Sequence, residues 1–108
     1  MALVHLVESD ARRTTLVRKG DTVELRLAEI PTTGYRWRWR LPNGLRLIAD
    51  EHVRPEPGLP GAPGQPGQRR LAFDITDSGE HELTAELVRP WEDTPRRTLS
   101  FVLQARVT

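Results

Sequence analysis

Apolar and polar residues alternate along most of this chain. Val23, Leu25 and Leu27 are interleaved with Thr22, Glu24 and Arg26, and Tyr35, Trp37, Trp39 and Leu41 with Arg36, Arg38 and Arg40. Leu71, Phe73 and Ile75 form a further series, followed by Leu83, Ala85 and Leu87 set against Glu82, Thr84 and Glu86. Leu99, Phe101, Leu103 and Ala105 form the last. A period of two sends successive side chains to opposite faces, so each run predicts a strand with one buried face. Thr14–Arg18 adds a short strand, turned by Lys19-Gly20-Asp21. Asn43-Gly44 predicts a tight hairpin that returns through Leu45-Arg46-Leu47-Ile48, and Asp77-Ser78-Gly79 predicts a turn. The opening Ala2-Leu3-Val4 and Leu6-Val7 fit an edge strand or a loosely held terminus. No stretch carries a convincing helical period.

About seven short strands separated by turn signals predict an all-β protein, an immunoglobulin-like β-sandwich forming one domain over residues 1–108. Its core is expected from Trp37, Trp39, Leu25, Phe73, Leu87 and Phe101. Three connections differ from ordinary turns. Ile30-Pro31-Thr32-Thr33-Gly34-Tyr35 combines a fixed φ, two β-branched residues and a glycine free to take positive φ, which makes a stiff loop. Residues 55–67 are a Gly/Pro-rich loop with the repeating triplets Gly58-Leu59-Pro60, Gly61-Ala62-Pro63 and Gly64-Gln65-Pro66, too few for a collagen helix. Arg89-Pro90-Trp91-Glu92-Asp93-Thr94-Pro95 is the third. Alternate loops of such a sandwich share an end, so these three are predicted to emerge together.

Charge and composition narrow the function classes. The chain has 108 residues and a formal net charge of +1, which argues against bulk attraction to nucleic acid or a membrane surface. Its apolar runs are far too short to span a bilayer. With no cysteine there is no disulfide framework, thiol nucleophile or thiolate metal site. His5, His52 and His81 lack metal-ligand spacing and read as surface residues, so no metal, no cofactor and no enzymatic activity are expected. No signal-like segment opens the chain as written, which gives a cytoplasmic expectation. A periplasmic or secreted location stays open if a leader preceded Met1. The arginine row at 36, 38 and 40 is best read as pairing across strands with Glu82 and Glu86, since no aromatic residues are interleaved on its face.

Pro31-Thr32-Thr33-Gly34-Tyr35, a glycine-rich loop, and then Arg89-Pro90-Trp91 resemble, in order and separation, the three binding-loop motifs of the chagasin family, inhibitors of papain-like cysteine proteases. The resemblance runs from about Thr14 to Val107. It implies a monomer that reversibly occludes the active-site cleft of such a protease. The loop from Pro31 to Tyr35 would lie over the enzyme's catalytic pair, with Thr32 at its centre. Trp91 would pack on an aromatic of the enzyme, with Pro90 stiffening the loop and Arg89 either bracing the loops or touching the partner. The middle loop would offer backbone hydrogen bonds through Gly61, Gly64 and Gly67. Two positions depart from the family pattern. Ile30 stands where the family usually has asparagine, and the usual Gly-x-Gly-Gly aligns with Gly64-Gln65-Pro66-Gly67 or with Gly61-Ala62-Pro63-Gly64. The alternative is an adhesion or assembly module of the same fold that binds a non-protease partner.

Overall fold

A computed structural model describes residues 2–54 and 67–107. Its strands are β1 (Leu3–Leu6), β2 (Thr14–Arg18), β3 (Thr22–Glu29), β4 (Arg36–Arg40), β5 (Leu45–Val53), β6 (Gly67–Ile75), β7 (Gly79–Val88) and β8 (Arg97–Arg106). They form two four-stranded sheets, ordered β1-β3-β6-β5 and β2-β8-β7-β4. The sandwich is thus all-β as expected, with eight strands rather than about seven. The extra strand is the N-terminal stretch left open by the sequence, where β1 pairs in parallel with β3 from Leu3↔Thr22 to Leu6↔Leu25.

The alternation does what it predicts. Val23, Leu25, Leu27, Leu71, Phe73, Ile75, Leu83, Phe101 and Leu103 meet between the sheets and are buried. Trp37 joins them, whereas Trp39 and Leu87, both expected in the core, pack against it only partly buried. Trp39 sits at the rim, where its indole N–H donates to Asp50 Oδ1 (3.2 Å) and links β4 to β5, each an edge of its sheet. On the outer face two members of the arginine row pair across strands, both with Glu86 and neither with Glu82. Arg38 lies 3.4 Å and Arg40 3.1 Å from the same carboxylate, Glu86.

Asn43-Gly44 does not close a hairpin. β4 pairs with β7 in one sheet and β5 with β6 in the other, so this turn carries the chain across the sandwich. Gly44 is required for space rather than for positive φ, because a β-carbon there would lie 2.1 Å from His81 Cε1. Its carbonyl accepts from Thr76 N–H (2.9 Å), which fixes the crossing to the end of β6. His81, read as a surface residue, is buried, and its Nε2–H donates to the Asp77 carbonyl (2.8 Å). His52 is also drawn inward, and only His5 is largely exposed.

The antiparallel pairings send the ends of β3, β5 and β7 and the starts of β4, β6 and β8 to one pole. The connections 30–35 and 89–96 and the flanks of segment 55–66 therefore lie on the same side, while Lys19-Gly20-Asp21, the Gly44 crossing and the turn at Asp77 occupy the other.

Across the outer face of the first sheet, Glu24 accepts from Arg26 Nε (2.8 Å) and Arg70 Nε (2.6 Å) and is itself buried. The hydrogen bond from Arg26, followed by that from Arg70, outweighs burial and holds its carboxyl down at about 2. A carboxylate with a depressed folded-state pKa stabilises fully above its unfolded value, and the contribution disappears as pH falls through the folded one. Urea unfolding followed from pH 6 to pH 2 should therefore show a loss beginning near pH 4.5, on the order of 2 kcal/mol after screening of the half-exposed guanidinium groups. Glu24→Gln should flatten that part of the curve and lower stability at pH 6. An unchanged pH profile in the variant would show that the carboxylate is not held low.

Candidate functional site at the loop pole

The chain leaves β3 at Glu29 and enters β4 at Arg36 through one tight 3-10 turn over Pro31–Thr33. Ile30 O accepts from Thr33 N–H (3.1 Å) and Pro31 O from Gly34 N–H (3.0 Å). The Thr33 hydroxyl donates to Ile30 O (2.7 Å) and accepts from Tyr35 N–H (3.2 Å). The loop is thus stitched internally by Thr33, although Ile30 offers no polar side chain. Pro31 suits the first turn position because its nitrogen needs no acceptor. Thr32 stands exposed at the apex, and its hydroxyl enters no hydrogen bond among the described residues.

Arg89 joins this loop to the one after β7. Its Nε donates to the Thr33 carbonyl (3.0 Å), and its terminal nitrogen pairs with Glu92 Oε1 (3.1 Å). Its guanidinium carbon lies 4.1 Å from the centre of the Tyr35 ring and 5.8 Å from that of Trp91, while Arg96 approaches Tyr35 at 5.3 Å. A planar guanidinium can stack and donate in its plane at once, which an ammonium cannot. Of the two roles the family resemblance left to Arg89, bracing the loops is the one the geometry exhibits.

Trp91 is 70% exposed, so it is not a core residue. Its ring nevertheless lies on Gly34, where a β-carbon would come within 2.6 Å of Cη2. Gly34 also has φ +80, so glycine is demanded twice. The candidate residues Pro31, Thr32, Thr33, Gly34, Tyr35, Arg89, Pro90 and Trp91 are brought together in this way. Gly61 and Gly64 lie outside the described residues. Gly67, expected in the loop, is instead the first residue of β6, buried and paired with Glu29.

Sequence reasoning missed what lies under the loop. Glu29 continues the inward parity of Val23, Leu25 and Leu27 and is only 2% exposed. Its Oε2 accepts from Trp37 N–H (2.9 Å) and Arg69 Nε (3.1 Å), and its Oε1 from His52 Nδ1–H (2.9 Å). The Trp37 indole N–H completes the corner by donating to Ala28 O (2.9 Å). Counting the parity one step past Leu27 is the signal that would have found it.

An all-β body presenting two mutually braced loops, with an exposed threonine at one tip and a solvent-facing tryptophan at the other, has the form of a binding module. Residues 16–104 match the model of the chagasin family peptidase inhibitors, class I42, and the chain belongs to that family. Among solved structures it is similar to the cysteine protease inhibitor EhICP2 of Entamoeba histolytica, at 26% identity over 98% of this chain and 97% of that one, with a TM-score of 0.83. It is similar also to amebosin, at 27% identity over 98% and 99% of the two chains, with a TM-score of 0.76. An epitope scaffold based on an inhibitor of cysteine proteases shares the fold, at 22% identity over 85% of this chain and 95% of that one, with a TM-score of 0.62. None of the curated proteins compared with the chain matches it.

Gly34→Ala should strain the left-handed backbone by about 1–2 kcal/mol and push the Trp91 ring off the loop. Urea denaturation and the chemical shift of the Trp91 indole proton check both effects. A shift that stays at its native value would mean that the ring does not rest on Gly34.

Proposed function

We propose that this protein is a reversible inhibitor of papain-like cysteine proteases that fills the active-site cleft with its loop pole. The observation that carries the reading is the Arg89 bridge, which holds the Thr32 tip and the Trp91 tip side by side in the unbound protein. Family membership and the similarity to EhICP2, a cysteine protease inhibitor, support the same class of partner. The mode is binding rather than catalysis. Thr32 and its neighbours lie over the enzyme's catalytic pair without a bond being made or broken, and Trp91 anchors the flank.

The energetics suit a plug. An interface of standard size, about 1,600 Å² in total, is made tight or weak by a few central anchors, and tryptophan and arginine are over-represented among them. Loops already braced in the free state lose little conformational entropy on docking. A half-mobile Trp91 would forfeit part of that gain, and the seat on Gly34 restrains it while leaving most of the ring for a partner.

Titrating a papain-like protease with the protein, while following hydrolysis of a fluorogenic peptide, should give reversible inhibition that is competitive with the substrate. Trp91→Ala should weaken it by about 2 kcal/mol of binding, the cost typical of an anchor. Folding stability should move by no more than about 0.5 kcal/mol, as for an exposed side chain. No inhibition at micromolar concentration across several such enzymes would remove the reading and leave the fold.

A further inference from the structure

Glu29 is an expensive residue to bury. A carboxylate taken out of water must be paired and hydrogen-bonded, and a well-packed apolar side chain at the same place serves stability as well or better. The three donors converging on it come from three different strands: Trp37 on β4, His52 on β5 and Arg69 on β6. One of them differs from the others. β4 is the edge of its sheet, paired only with β7, and Trp37 N–H points to its free side, where no strand can accept it. The Glu29 carboxylate is the acceptor that this buried N–H finds in the opposite sheet.

The bond spans the base of the Pro31 loop. Glu29 is the last residue before the loop and Trp37 the second residue of the strand after it, and the Trp37 indole N–H donates a second bond to Ala28 O. The corner is therefore closed by two hydrogen bonds, both donated by Trp37 to the end of β3. Arg69 supplies a charge, and it and His52 supply donors that keep the carboxylate in place. Arg69 is held in turn by Asp50 at 3.5 Å.

We infer that Glu29 is the positioning residue of the inhibitory loop: its carboxylate, through the Trp37 N–H, sets the angle at which Pro31–Gly34 leaves the body, and Arg69 and His52 serve it. The inference deepens the proposed function by naming a residue that touches no protease yet governs binding. It rests on that reading only for its effect on inhibition.

Two double variants remove the same charges, and one keeps an acceptor for Trp37 while the other keeps none. Glu29→Gln with Arg69→Gln keeps an oxygen at the end of an isosteric side chain, and Glu29→Ala with Arg69→Ala does not. The glutamine pair should inhibit within about threefold of the parent, while the alanine pair should be weaker by about tenfold or more. Backbone amide relaxation across Thr32–Tyr35 should show native order in the first and increased motion in the second, both measured without any protease. Equal inhibition and equal loop order in the two pairs would overturn the inference. Should the alanine pair fail to fold, hydrogen exchange on the unaltered protein decides. The Trp37 amide should be protected to the level of core strand amides, and exchange as fast as that of exposed loop amides would overturn the inference. If the parent inhibits no papain-like protease, the proposed function falls, whereas the relaxation and exchange measurements still decide the role of Glu29.

Discussion

The chain must cross from one sheet to the other between Glu29 and Arg36, and that crossing governs the rest of the loop pole. A short segment cannot pass over the open end of a sandwich without exposing backbone groups or burying them unpaired. The chain answers from both sides. Below, Trp37 donates its backbone N–H to the Glu29 carboxylate and its indole N–H to the Ala28 carbonyl, and above, Arg89 donates to the Thr33 carbonyl and stacks on Tyr35. Between them the turn closes on itself through the Thr33 hydroxyl. Thr32 is left exposed at the apex.

Electrostatics follow the same division. Arginines dominate the positive charge, and they work mainly in flat, shared pairs: Arg38 and Arg40 on Glu86, Arg26 and Arg70 on Glu24, Arg69 on Glu29. On the outer faces the pairs on Glu86 and Glu24 knit neighbouring strands, and the pair on Glu29 lies inside. At the pole, Arg89 is used differently, between two aromatic rings and a carbonyl, so that a cation rigidifies a surface meant for contact. A lysine could not make the same set of contacts, because it lacks the planar fork.

The period of two was enough to find the strands, most of the core and the sandwich class, because burial on one face is written directly into alternation. It failed where one residue type serves two purposes. Asn43-Gly44 carries a hairpin signal, yet glycine stands there because the His81 ring occupies the space of a side chain. Trp39 shares the parity of Trp37 and still reaches the rim, since β4 is an edge strand and the indole bonds across to Asp50 on the edge of the other sheet. Glu29 carries the parity of a core position, yet its residue type argues against burial until its three partners are known.

The residues of the loop pole were legible from their types alone: a proline, β-branched residues and a glycine make a stiff turn wherever they occur, and the Arg-Pro-Trp series marks a second. Chain order also determined that the loops alternate, and hence that they can share an end. Only the tertiary structure decided that Arg89 reaches Thr33, that Trp91 rests on Gly34 while facing solvent, and that a buried carboxylate supports the turn. Each of these depends on distances between residues far apart in sequence, and local propensity carries no information about such distances until the two sheets have packed.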